Sequence, residues 1–373
     1  MLYKVREVTG RRDLRLFIRF PESLYKGCAQ YVPPLHKGQE HELMHAASLK
    51  YCQRKMWLAE DASGKVVGRI CAMINPRYNE KYGTRRVRFG WFDLIDDIEV
   101  ARLLFDAAES WAKGQGMDQI HGPLFYNTMG RQGMLVEGFD KLAPFSCLYN
   151  HPYYVDIVQK LGFEKECDWI QYMMPADKGA GNSLKAISER LMQRYDLRIA
   201  DFDALKKDRN MVRSFFRTYN ESFDGSVYNF VPFTDEEIEE EIDQIIGQLD
   251  SRICCVIMDS DDEVAAFGIA IPSLSKAMQK AKGSLFPSGW YHVLKAMNDF
   301  TDLDLMLVGA APKWQNTGVS ALIHGMMAQQ AQECGAKWAL ANPQIETNNA
   351  VNVWARYDHE LWLRRRCWIK KIK

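Results

Sequence analysis

The chain lacks a net charge: lysine plus arginine and aspartate plus glutamate each total 48 over 373 residues. A broad electrostatic footprint is therefore not expected, and with it neither a nucleic-acid partner nor a membrane partner. Charge is local instead. The C-terminal "LRRRCWIKKIK" is basic and Asp235 to Asp243, "DEEIEEEID", is acidic. Solvated strand or helix faces are the simplest reading of both, with a small anionic ligand near the tail as the alternative. The nine cysteines contain no C-x-x-C pair, so zinc-ribbon and thioredoxin-like spacings are excluded. Long apolar runs are also missing. None approaches the ~20 residues of a membrane helix, and "MLYKVREVTGRRDLRLF" has no apolar core of signal length. With an odd cysteine count, this leads to the expectation of reduced thiols in a soluble, cytoplasmic protein.

What is present is a globular composition, 47% hydrophobic and 26% charged, in a chain longer than one core usually grows. Two domains are expected. The glycine-containing polar stretch "MPADKGAGNSLK", residues 174 to 185, is the best boundary and places them at 1–177 and 184–373. The halves share an order of elements. "KMWLAEDASGKVVGRICAMIN" reads as a hairpin turning at Ser63-Gly64, "RVRFGWFDLI" as a strand, "DIEVARLLFDAAESWAKGQGM" as a helix and "DQIHGPLF" as a strand. A helix in "YYVDIVQKLGF" and a strand in "CDWIQYMM" close the half. In the second half the series is "RICCVIMDSDDEVAAFGIAIP", "LDLMLVGAAP", "GVSALIHGMMAQQAQECGA", "KWALAN", a helix in "AVNVWARYDHELW" and the strand "RRCWIKKI". The fold class expected is α/β with mixed sheets, as two copies of one unit.

One five-letter pattern suggests a metal. His41 to His45, "HELMH", fits H-E-x-x-H, in which two histidines a helical turn apart hold zinc and the glutamate activates water. Such a site needs a third protein ligand. The longer form of the motif fails at Ser48, and Glu60 and Glu80 fall beside a strand and in a loop. A local helix without metal is therefore expected here.

The stretch that carries chemistry is "LMLVGAAPKWQNTGVSALIHGMM", residues 305 to 327. A strand ends near Ala310, Pro312 breaks it, and a loop with Gln315 and Gly318 runs into a helix. Helix-start N–H groups and the helix dipole make an anion site suited to a pyrophosphate. Gly318 permits close backbone approach, with small Ser320 behind it. Gln315, Asn316, Thr317, Gly318, Val319 and Ser320 resemble the acyl-CoA loop of the GNAT N-acyltransferase superfamily, with serine at the last small position. That resemblance implies a pantetheine arm along Val308, Gly309 and Ala310, with Asn342 and Asn348 near the thioester end. It implies acetyl-CoA or a longer acyl-CoA as co-substrate, no metal, and a small-molecule or peptide amine as acceptor. By the same resemblance Glu346 would be the general base and Tyr357 the general acid, although the usual tyrosine position falls nearer Trp354.

The series "FPESLYKGCAQYVPPL", "FGWFDLIDDIEVARLLFDAAESWAKGQGM", "HGPLFYNTMGRQGMLVEGFD" and "YNHPYYVDIVQKLGFEKECDWIQY", continued by "FVPFTDEEIEEEI" and "GSLFPSGWYHVL", is similar to an uncharacterised bacterial family of tandem GNAT-like proteins. In the first half the loop position holds Asp93, Leu94, Ile95, Asp96 and Asp97, whose aspartates would repel a pyrophosphate. That half is expected to be degenerate for acyl-CoA and to form a substrate wall. Asn127, Arg131, Gln132, Tyr149, Asn150, Tyr153 and Tyr154 concentrate there, either as a pocket for an amine or carboxylate or as a loop held by its own hydrogen bonds. The readings open at this point are an acyl-CoA-dependent N-acyltransferase, a Fem-like aminoacyltransferase and a non-catalytic binding protein on the same fold.

Overall fold

The computed structural model describes residues 2–176, 182–225, 227–245, 249–347 and 358–372. In chain order the elements begin with β1 (Tyr3–Glu7), α1 (Gly10–Leu24), α2 (His36–Met44), β2 (Gln53–Asp61), β3 (Val66–Ile74), α3 (Pro76–Tyr82), β4 (Arg86–Leu94), α4 (Ile98–Gly114), β5 (Gln119–Gly122), β6 (Met134–Glu137) and α5 (Tyr153–Lys160). They continue with β7 (Glu164–Pro175), α6 (Asn182–Tyr195), β8 (Arg198–Ile199), α7 (Phe202–Lys207), α8 (Arg209–Phe223), α9 (Asp235–Ile245), β9 (Cys255–Met258) and β10 (Val264–Pro272). The last are α10 (Ser275–Ala281), α11 (Gly289–Asn298), β11 (Asp302–Ala310), α12 (Val319–Glu333), β12 (Trp338–Leu340), β13 (Gln344–Ile345) and β14 (Glu360–Lys371). Two compact units result. One comprises Met1–Ile170, Leu274–Leu294 and Trp362–Lys373, the other Gln171–Ser273 and Lys295–Leu361.

This division differs from a single cut at residues 177–184, because two segments expected in the second half fold into the first unit. Ser275 Oγ accepts from Phe145 N at 3.0 Å, and Gln279 Nε2 donates to the carbonyls of Ala29 and Tyr31. Met278 joins a buried cluster with Tyr25, Val32 and Leu135. At the C-terminus, β14 pairs antiparallel with β5 and β6. Backbone pairing and apolar burial thus outweigh closeness in sequence.

In the first unit β1, β2, β3 and β4 form an antiparallel meander, and β5 joins β4 in parallel across the helix α4, the crossover that a parallel pair demands. Val100, Leu104, Phe105 and Ala108 recur at helical spacing and bury one face of α4. Gly68 of β3 allows that approach: a Cβ there would lie 2.8 Å from Val100 Cγ1 and 2.9 Å from Leu104 Cδ1. The other face of the sheet is covered by Leu14, Phe17 and Ile18 of α1, packed with Leu43 of α2.

The second unit repeats the plan. β9 and β10 form the hairpin, β10 pairs antiparallel with β11, and β12 joins β11 in parallel across α12. On its other edge β12 pairs with Met173 to Pro175 of β7. Gly268 of β10 plays the part of Gly68, since a Cβ there would meet Met327 Sδ at 2.4 Å and Ile323 Cγ2 at 2.9 Å. Helix α8 buries Val212, Phe215, Phe216 and Tyr219, with Phe215 against Phe267 at 4.7 Å between ring centroids. The acidic run is α9, begun by a reciprocal cap in which Thr234 Oγ1 accepts from Glu237 N and Glu237 Oε2 from Thr234 N. The helix expected in "AVNVWARYDHELW" lies largely outside the described residues, and its last three positions, Glu360 to Trp362, are strand instead.

Candidate active site in the second unit

Strands β11 and β12 form a fork. Their pairing is confined to Asp302–Trp338, Leu303–Ala339 and Asp304–Leu340, while β11 runs six residues further, to Ala310. The segment Leu305 to Gly309 is half-buried, and Val308, Gly309 and Ala310 lie on it. A register shift opposite Ile269 and Ala270 makes Met306 a bulge at the start of the open part, a device that re-aims the strand.

From Ala310 the chain turns sharply. Ala311 N donates to Ala265 O, Pro312–Trp314 form a single 3-10 turn, and Gln315 Nε2 donates back to Ala310 O at 3.2 Å. Lys313 pairs with Asp259 at 2.6 Å, which ties the turn to the β9–β10 hairpin. Asn316 and Gly318 both have positive φ, 63° and 95°. This backbone is strained for a residue with a side chain and free for Gly318. Gly318 caps α12 with no side-chain hydrogen bond. Among the described residues no acceptor meets the N–H groups of Asn316, Thr317, Gly318, Val319 or Ser320, and the first inward bonds come from Ala321 and Leu322 to Gly318 O. Five consecutive outward amides and a helix dipole at an exposed turn are an arrangement able to receive an anion. The donor set fits the phosphates of a CoA-type ligand.

Sequence reasoning missed Asp304. It occupies the last paired position of the fork, is 5% exposed, and its Oδ2 has no hydrogen-bond partner. Burial, reinforced by the charge of Asp302, pushes its carboxyl up to about 7, against the pull of Ser273. A carboxylate between Leu303 and Leu305, inside the strand that Asp302 begins, was the available signal. Asn342 and Glu346 lie in the loop after β12, where Asn342 Oδ1 accepts from Gln344 Nε2 at 3.4 Å and Glu346 is half-buried. Asn348, Trp354 and Tyr357 lie outside the described residues.

The first unit fills the corresponding places differently. Its fork ends at Arg88–His121. The buried Arg88 donates to the carbonyls of Phe125 and Tyr126 at 2.6 and 3.0 Å. The chain leaving β5 fills the opening, with Leu124 N on Phe89 O and the Phe125 ring stacked on Trp91 at 3.8 Å. Helix α4 is capped by Asp97, which accepts from Glu99 N at 2.8 Å. Asp93 does not face that helix start: it is paired in the interior with Arg69 and accepts from Tyr25 Oη at 2.8 Å. Asn150 is bonded to both backbone groups of Leu135, Tyr149 Oη to Phe139 O, Tyr153 Oη to Leu94 O and Gln132 to Thr128 O. Leu94 N donates to Tyr154 Oη, Asn127 Oδ1 accepts from Met129 N, and Arg131 pairs with Glu42.

Of the "HELMH" residues, His41 to Met44 end α2 and His45 is its C-cap. Glu42 is taken by Arg131, and the two histidines belong to no group of prospective metal ligands among the described residues. One such group exists elsewhere, His121, Glu166 and Cys367, but Arg86 already holds Glu166 Oε1 at 2.6 Å. Burial lowers His121 to about 4, so its ring is neutral. The basic tail is the strand β14, with Arg366 on Asp168, Arg364 on Glu137 and Lys370 on Glu109.

A hairpin, a central strand, a crossover helix and a forked parallel partner, present twice, define two GNAT-like domains in tandem. Solved structures agree on the fold. A tandem GNAT protein from the clavulanic acid biosynthesis pathway superposes with a TM-score of 0.58 at 9% identity, over 100% of this chain and 99% of that one. A GCN5-related N-acetyltransferase from Sphaerobacter thermophilus gives 0.52 at 10%, over 100% and 96%. A glucosamine N-acetyltransferase region of a fungal β-N-acetylglucosaminidase gives 0.60 at 12%; this chain spans 38% of that protein's length. No protein-family model matches the chain. Among sequence relatives, the protein YghO of Escherichia coli (strain K12) is 28% identical over 99% of this chain and 95% of its own length. The bacterial ceramide synthase of Caulobacter vibrioides is 24% identical over 91% of each. Among the described residues no helix is long and apolar enough to cross a membrane.

Proposed function

We propose that the protein is an N-acyltransferase that takes its acyl group from an acyl-CoA held by the second unit. The observation that carries this reading is the run of five unpartnered amides at the start of α12, beside a strand edge that β12 leaves open. Asn316 to Ser320 would hold the phosphates, and the backbone of Val308 to Ala310 would hold the arm. When bound, the CoA thioester supplies an activated acyl carbon. The chain's contribution is to seat the ligand by fixed dipoles and to accept a proton from the attacking amine at Asp304 Oδ2, whose affinity for protons suits neutral pH. Glu346 is the second carboxylate proposed for this role, and Asn342 a polar contact at the acyl end. Asn348 and Tyr357 remain proposed contributors by resemblance. In the first unit Asn127, Arg131, Tyr149, Asn150 and Tyr153 would act structurally, through the hydrogen bonds and the ion pair that hold that unit's loops.

The ceramide synthase of Caulobacter vibrioides, named for making an N-acylated long-chain amine, favours a lipid-like amine as acceptor. Calorimetry of the full chain with acetyl-CoA and with a long-chain acyl-CoA tests the donor, and release of free thiol across short and long-chain amines tests the acceptor. Absence of binding to every acyl-CoA sinks the proposal. Binding without thiol release points to a non-catalytic protein, and salt-sensitive binding of charged tRNA instead points to an aminoacyl transfer.

A further inference from the structure

The first unit presents an apolar surface that no part of its own core uses. Over Ser284 to Leu294, "SLFPSGWYHVL", Leu285 is 41%, Phe286 83%, Trp290 51%, Tyr291 54% and Leu294 49% exposed. Trp290, Tyr291 and Leu294 share one face of α11, and Leu285 and Phe286 stand on the loop that leads into it. The loop is built rather than loose. Ser284 Oγ donates to Phe286 O and accepts from Phe286 N, Trp290 N donates to Leu285 O, and Trp290 Nε1 donates to Pro287 O at 2.8 Å. A Cβ on Gly289 would meet Ser284 O at 2.1 Å, so the turn closes only on glycine.

The segment that carries this surface holds charge of one sign. From Ser275 to Leu294 the chain holds Lys276, Lys280 and Lys282, all exposed, and no aspartate or glutamate. His36 N donates to Gly283 O, and the His36 ring pairs with Glu22 in the last turns of α1. A protein partner for an aromatic patch would commonly bring a rim of mixed charge. An aromatic belt on a segment whose own charges, Lys276, Lys280 and Lys282, are all cationic matches a bilayer interface, where Trp and Tyr sit at headgroup level and lysines meet phosphates.

We propose that Leu285, Phe286, Trp290, Tyr291 and Leu294, flanked by Lys280 and Lys282, seat the protein on the surface of an anionic phospholipid bilayer. The attachment is peripheral, with side chains entering the interface and no segment spanning it. It revises the expectation of no membrane partner: a chain neutral in sum carries a local cationic, aromatic face. This inference does not rest on the acyltransferase reading.

The test is co-sedimentation of the full chain with phosphatidylcholine vesicles, pure or containing about 30% phosphatidylglycerol, at low and high salt. We expect partition onto the anionic vesicles and its weakening by salt. Phe286→Asp with Trp290→Asp should lower that partition by at least about tenfold. Lys280→Glu with Lys282→Glu should lower it on the order of tenfold on anionic vesicles alone. Unchanged melting shows that the variants are folded. Equal partition onto neutral and anionic vesicles, full partition of the aspartate variant, or self-association abolished by Phe286→Asp without any vesicle binding would each overturn the proposal.

Discussion

The two units place the same elements around a fork and end them oppositely. In the first, the helix that follows the central strand is capped by the Asp97 carboxylate, and the last paired position of the fork is a buried arginine, Arg88, tied to the segment that fills the opening. In the second, the helix is capped by Gly318 with its amides unpartnered, and the last paired position is a buried carboxylate, Asp304, beside an open strand edge. The fold therefore tolerates either sign at both places. A unit with its own side chains in the fork is a finished structural body, whereas the second unit keeps, among the described residues, outward amides and a buried carboxylate oxygen without partners.

Asp304 should separate the units most. If it accepts the proton, turnover rises with pH through about 7, and Asp304→Asn lowers kcat by about a hundredfold or more and flattens that rise. Stability moves the other way. The carboxyl is raised from its ordinary 3.8 to about 7, so the folded state binds the proton more tightly. The stability it contributes is complete below 3.8 and is lost as pH rises through 7. Asp304→Asn should then be more stable than the parent at pH above 7, as read by urea denaturation, with no such gain at acid pH. Loss of activity with unchanged pH dependence would remove Asp304 from the proton path.

Gly318→Asp is the next largest change, because it gives α12 the kind of cap that α4 has. A carboxylate at the amides, on backbone with φ of 95°, competes with any phosphate placed there. Acyl-CoA binding should weaken on the order of a hundredfold by calorimetry, from the loss of charge-assisted bonds. Retained affinity would move the anion site away from the start of α12.

What could be read from residues alone follows from how local each requirement is. The hairpins, α4, α12 and the Gln315–Ser320 turn were legible because apolar period and a turn glycine act within a few residues. Asp304 and Arg88 were not, since each is a charge among apolar strand neighbours and acquires meaning only from the register that puts it at a fork. Asp93 was misplaced for the same reason: beside Leu94 and Ile95 it reads as part of the helix start, yet Arg69 from the neighbouring strand draws it inside. The docking of α10 into the first unit depends on carbonyls of Ala29 and Tyr31, some 250 residues away, and no pattern within α10 announces it.

Where the units agree, a paired substitution should show it. Gly68→Ala and Gly268→Ala each push a methyl into the crossover helix, at a cost of about 1–3 kcal/mol. Each meets one stiff β-branched methyl, Val100 Cγ1 or Ile323 Cγ2, but Gly68 should be the more sensitive, because its other neighbours include the Asp93 carbonyl of the backbone, whereas those of Gly268 belong to the flexible Met327. Urea midpoints of the two variants test this order, and equal costs would mean that α4 shifts as freely as the methionine.

The smallest effect belongs to Asp97. Its carboxylate answers one orphan amide of α4 and accepts from Tyr3 Oη at 2.8 Å, so Asp97→Ala should cost about 1 kcal/mol in urea denaturation. Uncapping does not by itself make a ligand site here, because Phe125 and Leu124 still occupy the fork and Arg88 still holds them there. Acyl-CoA stoichiometry in calorimetry should therefore stay unchanged in Asp97→Ala. A second equivalent bound by that variant would show that a single carboxylate, and not the filled fork, is what distinguishes the first unit from the second.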